Sequence, residues 1–257
     1  YAYCERLDSY QSASQSYEIF DDGYTIFNDE YWRQFDELPQ AEKGEYTHAL
    51  YAATLFELDI QLGEFFEGLK QKGMLENTVI VIVGDQGDEF FEHGAYSHGW
   101  SLYNEVLRVP FIVYVPGYPS GRSDKLVSLV DVMPTILGIT GKKIPANISG
   151  FDVFSGRTHP LVIAEHLNGG PLSVRTDRHS LMVYDTDLET EIELYDINVD
   201  PDERTNIAEG NRSLVQRLLK AYKKLKSAFP EYSRASYPLP TWINEQDRQK
   251  LIESGYF

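Results

Sequence analysis

Residues 79–94 read VIVIVGDQGDEFFEHG, and residues 97–103 read SHGWSLY. The first five residues are apolar and β-branched, which predicts a short strand covered on both faces of a sheet. Asp85 and Gln86 follow at its carboxyl end, where open α/β sheets bind their ligands. His93 and His98 come in the loop that follows. The stretch therefore predicts a functional edge of a sheet, although Asp and Gly are equally common in plain strand-end turns.

The flanking segments predict an α/β domain around this strand. Residues 46–72 place apolar side chains near helical spacing, and Gly73 then supplies a stop signal. Residues 109–115 form a second apolar run, and residues 126–140 predict a short helix that tolerates Pro134 in its first turn. Helices on either side of such strands imply a helix-covered, largely parallel sheet.

After Gly156 the sequence changes character. Short apolar runs at residues 161–165, 172–175, 181–184 and 192–195 have tight connections, which is typical of an antiparallel sheet. Residues 212–228 predict a helix whose second half is basic, as suits a helix C-terminus. We therefore predict two parts: an α/β core in residues 1–156, and an antiparallel subdomain with a helix and an extended tail in residues 157–257. Residues 1–38 are predicted to be irregular.

Composition excludes several classes of partner. The net charge of −17 and the isoelectric point near 4.7 disfavour nucleic acid, because an acidic surface repels phosphate backbones. No apolar run reaches the roughly 18 to 20 residues of a membrane-spanning helix, so no membrane span is predicted. Cys4 is the single cysteine, which excludes an internal disulfide.

Several separate blocks of sequence resemble, in the same order, the signatures of the sulfatases within the alkaline-phosphatase-like superfamily. They are 58–63, 75–81, 84–87, 92–94, 98–105, 108–110, 130–137, 174–178, 193–196 and 200–203, with Asn206. The resemblance implies the latter half of an alkaline-phosphatase-like, helix-covered mixed sheet, followed by the small antiparallel sheet with its helix. It also implies a hydrolase of sulfate monoesters that uses a divalent cation and a formylglycine made from Cys or Ser.

The metal pair of the family is Asp followed by Asn or His, and the matching residues here are Asp85 and Gln86. An amide oxygen suits a hard cation, and the absence of a His ligand disfavours zinc and manganese, so we expect calcium rather than Mg²⁺, Mn²⁺ or Zn²⁺.

The resemblance also assigns roles to the two histidines. His98 stands just before Gly-x-Ser-x-Tyr, where the family often carries Lys or His in contact with the sulfate or its bridging oxygen. A protonated His98 would stabilise the charge that builds on that oxygen. His93 is similar to the family's loop histidine and would orient the site. A surface histidine without a role is the alternative for each. Arg108, Asp131, Glu165, His166, Arg175 and His179 are expected to be structural.

The sequence lacks two parts of the family pattern: the Cys/Ser-x-Pro-x-Arg nucleophile motif and the paired aspartates of the first strand. We therefore predict a C-terminal portion of a sulfatase that is inactive alone. Its expected partners are the N-terminal half of the same protein, which would carry the formylglycine, and a sulfate ester of a small molecule or glycan. The alternatives are a phosphodiesterase or phosphoglycerol transferase of the same superfamily and a non-catalytic binding remnant.

Overall fold

A computed structural model describes Phe35 and residues 37–166, 170–185 and 190–228. Most of the predicted irregular segment 1–38 and the whole predicted tail after residue 228 lie outside these residues. The chain divides into two units between Val215 and Gln216, and the second is described from Gln216 to Ala228. The predicted boundary between residues 156 and 157 stays a prediction.

The long helix predicted before the apolar strand is confirmed as α1 (Gln40–Gln71), which begins six residues earlier than the pattern indicated. Gly73 lies just past its C-cap Lys72 and has a φ of +65°, in the left-handed region that favours glycine. The Gly73 N–H donates to the Lys70 carbonyl and the Met74 N–H to the Leu69 carbonyl, both at 2.9 Å. These two bonds form a Schellman motif and satisfy carbonyls at the helix end.

The two apolar strands form β1 (Ile80–Val83) and β4 (Phe111–Tyr114), which pair antiparallel with Ile80 opposite Tyr114. The prediction of a largely parallel arrangement is therefore wrong for this pair. Apolar, β-branched composition records a strand's tendency to be buried and carries no information about its direction. Cover on both faces, predicted for residues 79–83, is incomplete within the described residues, since Val83 is 38% exposed, and Ile112 on the paired strand is 55% exposed.

Three short elements connect β1 to β4. They are β2 (Glu89–Phe90), β3 (Tyr96–Ser97) and helix α2 (Asn104–Leu107). Strands β2 and β3 pair antiparallel, with Glu89 opposite Ser97 and Phe90 opposite Tyr96. The loop that carries both predicted histidines is thus a small hairpin followed by one turn of helix.

The short helix near residue 132 is confirmed as α3 (Val132–Ile139), with Pro134 in its first turn. A 3-10 turn (Leu129–Asp131) precedes it, and Ser128 and Asp131 form a capping box there. Asp131 is buried and also binds Nε2 of His159 at 2.8 Å. The expected structural role of Asp131 is confirmed by these contacts, but its side chain caps the preceding 3-10 turn and makes no capping bond to α3 itself.

The predicted antiparallel sheet is confirmed as a four-stranded meander in which each strand pairs with the next. Its strands are β5 (Val162–Glu165), β6 (Leu172–Arg175), β7 (His179–Asp185) and β8 (Thr190–Asp196). Its central side chains are fully buried: Val174, Leu181, Met182 and Leu194. Met182 and Tyr195 also pack with Leu102 and Tyr103, so the loop between β3 and α2 shares a core with this sheet.

The final predicted helix is confirmed as α4 (Arg212–Lys226), with lysines in its last turn as the helix dipole favours. Across the described parts of the chain, no helix is both long and apolar enough to cross a membrane.

Candidate functional site

Asp85 and Gln86 lie immediately beyond the end of β1, and both are exposed. Oδ1 of Asp85 accepts the backbone N–H of Gln86 at 2.9 Å. The second carboxylate oxygen and the Gln86 amide have no partner among the residues that the structure describes. The second carboxylate oxygen of Asp85 and the side-chain oxygen of Gln86 are therefore available to bind a ligand at the end of β1.

The two glycines that flank this pair hold it in place by close backbone contact. A Cβ on Gly87 would lie 1.9 Å from the carbonyl oxygen of Glu105, so only glycine fits beneath helix α2. The Gly87 N–H donates to the Val106 carbonyl at 2.8 Å, and the Gly84 N–H to the Pro110 carbonyl at 3.1 Å. The position of Asp85 and Gln86 is thus fixed from both sides by the segment that leads into β4.

His98 follows β3 and lies next to an aspartate. Its Nδ1 is 2.7 Å from Oδ1 of Asp88, and the imidazole side chain is 40% exposed. Ser97 and Gly99 on either side have φ values of +68° and +90°. Left-handed backbone at a non-glycine residue is uncommon and concentrates at functional loops. His98 is therefore held by a defined partner and remains open to solvent.

His93 lies in the interior. Its ring stacks on Tyr103, with centroids 3.6 Å apart, and its Nε2 is 3.1 Å from the carbonyl oxygen of Glu203. Its Nδ1 is 3.0 Å from a Glu105 carboxylate oxygen, but the angles do not form a hydrogen bond, so we regard the contact as electrostatic. Burial raises the pKa of Glu105 above its usual 4.5, despite the attraction of His93. These contacts suit an orienting histidine rather than one that touches a substrate.

Sequence reasoning missed Glu89, which organises the whole hairpin. This fully buried carboxylate accepts the N–H groups of His93 and Ala95 at 3.0 and 2.9 Å and the Ser101 hydroxyl at 2.7 Å. A buried charge persists only where such donors surround it. The only indication of this role in the sequence was the position of a carboxylate directly before Phe90 and Phe91.

A second buried network joins the site loop to the meander. Arg175 binds Glu203 at 2.6 Å and the side-chain oxygen of Asn104 at 2.7 Å. The other Glu203 oxygen accepts the backbone N–H of Asn104, at the start of α2. Burial lowers the pKa of Arg175, while Glu203 opposes that shift. The expected structural role of Arg175 is confirmed by these contacts.

Tyrosine hydroxyls surround Glu193 on the other side of the same loop. The Tyr103 hydroxyl donates to Glu193 at 2.8 Å. Burial, followed by hydrogen bonds to Tyr184 and Glu193, raises the pKa of Tyr103 far above its usual value. Burial also raises the pKa of Tyr184 to about 12. The hydroxyls of Tyr103 and Tyr184 therefore stay protonated, and the bond to Glu193 holds Tyr103, on which His93 stacks.

The described residues include side chains of the right type to bind a divalent cation, but too few of them. Asp85 and Gln86 offer two hard oxygen donors, whereas Ca²⁺ takes about six to eight. In the portions of the chain that the structure describes, no three His, Cys, Asp or Glu side chains form a metal-binding group. The remaining ligands of such a site would have to come from elsewhere.

Comparison with known proteins gives consistent matches. A family model described as Sulfatase matches residues 8–142. Arylsulfatase K of Bos taurus is 29% identical over 213 residues, covering 74% of this chain and 39% of that protein. The solved structure of BT4656 in complex with its substrate D-glucosamine-2-N,6-O-disulfate is 26% identical, with a TM-score of 0.58 over 77% of this chain and 45% of the other.

The phosphonate monoester hydrolase of Agrobacterium radiobacter has a TM-score of 0.63 at 19% identity, over 78% of this chain and 45% of that one, which is a likeness of fold alone. This chain spans about two fifths of the length of the arylsulfatase K that it matches.

Proposed function

The chain belongs to the sulfatase family, and from that premise we propose that it supplies the edge of a sulfate-ester hydrolase site that carries Asp85, Gln86 and His98. The family match covers more than half of the chain, and the solved neighbours have the alkaline-phosphatase-like α/β fold that the sequence predicted. The observation that carries the proposal is the pair of free oxygen donors fixed at the end of β1 within the matched segment.

In this proposal Asp85 and Gln86 hold a divalent cation, and calcium is the ion that their oxygen donors fit best. When bound, the cation would stabilise the negative charge of the sulfate group. His98 lies exposed in the following loop, where its imidazole stabilises or protonates the ester oxygen as the S–O bond breaks. His93 is assigned a positioning role in this proposal, since it packs on Tyr103 and contacts Glu105 and Glu203 inside the loop.

The nucleophile and the remaining metal ligands belong to a further segment in this proposal, because the sequence holds no Cys/Ser-x-Pro-x-Arg motif. That segment would carry the formylglycine and act as the partner of this chain. A phosphorus ester is the second candidate substrate, because sulfate and phosphate esters make similar electrostatic demands on a site. Sulfate is preferred because the relatives with higher identity are sulfatases.

Trp100 gives a reason to expect a ring in the substrate. It follows His98 by two residues and is 73% exposed. An exposed indole offers a flat apolar face on which an aryl group or a sugar ring can stack. We therefore propose aryl sulfates or sulfated glycans as the substrate class. Trp100→Ala should raise KM roughly three- to tenfold with little change in the unfolding free energy. Phe65→Ala, at an exposed aromatic on α1, is the control.

The deciding experiment expresses the chain together with the coding sequence upstream of Tyr1 and measures release of sulfate and of phosphate from matched aryl esters. Release of sulfate that requires calcium and is lost in Asp85→Ala supports the proposal. Preferential release of phosphate supports the second candidate. No turnover of either ester and no calcium binding would leave a non-catalytic binding protein.

A further inference from the structure

We propose that Asp88 is a positioning residue that determines which ring nitrogen His98 presents to the substrate. The inference rests on the proposed function of His98. Oδ1 of Asp88 lies 2.7 Å from Nδ1 of His98. A carboxylate can only accept a hydrogen bond, so the proton of this bond must sit on Nδ1. Nε2 is then the nitrogen left for other chemistry.

The strand register brings the two side chains together. Strands β2 and β3 pair Glu89 with Ser97 and Phe90 with Tyr96. Continuing this antiparallel register by one step places Asp88 opposite His98. Cross-strand neighbours of this kind lie within direct contact of each other. The pairing is therefore built into the hairpin and does not depend on the rotamer of a long side chain.

Buried groups hold the hairpin from behind. Glu89, next to Asp88, accepts hydrogen bonds from His93, Ala95 and Ser101 and has no exposed surface. The Ser97 hydroxyl lies 3.4 Å from both Oδ1 of Asp88 and Nδ1 of His98, which adds a weaker contact on the same side of the ring. All described contacts of the His98 ring thus involve Nδ1.

Stability alone gives a weak reason for this pair. The side chains of His98 and Asp88 are 40% and 28% exposed, and ion pairs open to solvent contribute little to folding. The main effect left for this contact is to orient the imidazole ring of His98. Removal of the carboxylate should therefore change the tautomer of His98 and leave the folded structure nearly as stable as before.

The orientation has a direct use in ester hydrolysis. When the S–O bond breaks, its electron pair goes to the ester oxygen, and that oxygen takes a proton from Nε2 of the protonated ring. The nucleophile of the further segment supplies the oxygen that sulfur gains and gives up its own O–H proton to solvent, and His98 is left neutral with its proton on Nδ1. Because Asp88 binds that Nδ1 proton before and after the step, the ring keeps one orientation throughout.

Nitrogen NMR on the ¹⁵N-labelled chain tests this inference without any turnover. The two ring nitrogens of His98 are assigned by their loss in His98→Gln and are recorded under conditions where the imidazole is neutral. The expected result is a protonated Nδ1 and an unprotonated Nε2. In Asp88→Ala the ratio of the two tautomers should shift towards Nε2–H by about threefold to tenfold, as expected for the loss of one partly exposed hydrogen bond to a charged group.

Two further variants keep the test decisive. Asp124→Ala removes an almost fully exposed carboxylate elsewhere and should leave the His98 spectrum unchanged. Asp88→Asn keeps the shape of the side chain and should give a shift between those of the wild type and Asp88→Ala. A wild-type ring protonated on Nε2, or an unchanged ratio in Asp88→Ala with an intact fold, overturns the inference.

The same data separate this inference from the proposed function. If the His98 tautomer depends on Asp88 while the longer protein hydrolyses no sulfate ester, the positioning role of Asp88 is supported and the proposed activity is wrong. If sulfate is released and the tautomer ignores Asp88, the activity stands and the positioning role fails.

Discussion

The strands of the β1–β4 pair are apolar throughout, whereas those of the four-stranded meander alternate apolar with polar residues, yet the meander is the better buried of the two. Leu181 and Leu194 of the meander have no exposed surface, whereas Ile112 of β4 is 55% exposed. Both strand sets are paired antiparallel. The difference shows that an apolar composition indicates a tendency to be buried, whereas the elements packed around a strand determine how buried it is. The meander is a complete core, and the pair carrying Asp85 presents apolar surface for further cover.

Breaking the ion pair that joins the meander to the site loop should have the largest effect. Glu203→Ala leaves the buried Arg175 guanidinium without its carboxylate and should lower the unfolding free energy by about 3 to 5 kcal/mol. Urea unfolding measures the change. Arg178→Ala removes an ion pair of similar length, 2.7 Å against 2.6 Å, but with an exposed arginine, and should lower the unfolding free energy far less. Equal losses in the two variants would contradict the difference in burial.

Truncation of apolar side chains compares the two strand sets directly. Leu181→Ala should lower the unfolding free energy by about 2 to 5 kcal/mol, because it creates a cavity in a closed core. Ile112→Ala should cost less than about 1 kcal/mol in the same urea experiment, since much of its side chain already meets water. If Ile112→Ala proved as costly as Leu181→Ala, the β1–β4 pair would be covered in solution by part of this chain.

A single methyl group tests the tight turn below the site. Gly87→Ala places a Cβ 1.9 Å from a backbone oxygen, so the loop must move, at a cost of about 1 to 3 kcal/mol. Gly63→Ala on α1 meets open space and should stabilise the helix by roughly 0.5 to 1 kcal/mol. Thermal unfolding of both variants measures the contrast, and loss of stability in both would show that the turn is not special.

The smallest expected effect is a dependence on pH. Burial raises the pKa of Glu105, so the folded protein favours the protonated carboxyl. Stability from this group is full below its usual pKa of 4.5 and falls as the pH rises through the raised value. Glu105→Gln mimics the protonated form, so its stability relative to wild type should increase from acidic to neutral pH. A difference that is constant with pH, or that decreases, would contradict the burial effect.

The sequence was sufficient for the elements whose signals are local. Periodicity and a glycine stop located α1, and closely spaced strands identified the meander. Strand direction in the β1–β4 pair was predicted wrongly, because the connection between the two strands is long enough to permit either direction. In the proposed site, too, residues with local sequence signals were predicted and residues that depend on distant partners were not. Asp85, Gln86 and His98 were predicted from their place after a strand and from family resemblance, and their role stays a prediction.

Asp88 and Glu89 were missed because their partners lie across a hairpin, 4 to 12 residues away, and Glu203 because its partners lie 28 to 110 residues away in the sequence.

Calcium titration tests the central claim most directly, namely that the free oxygens beyond β1 form part of a metal site. Isothermal titration would compare the longer protein encoded with the upstream sequence, its Asp85→Ala variant and the Asp124→Ala control. We predict saturable binding that Asp85→Ala weakens at least tenfold, roughly the lower limit for removing even an indirect metal partner, while Asp124→Ala leaves it unchanged. Equal calcium affinity in all three proteins would contradict the account.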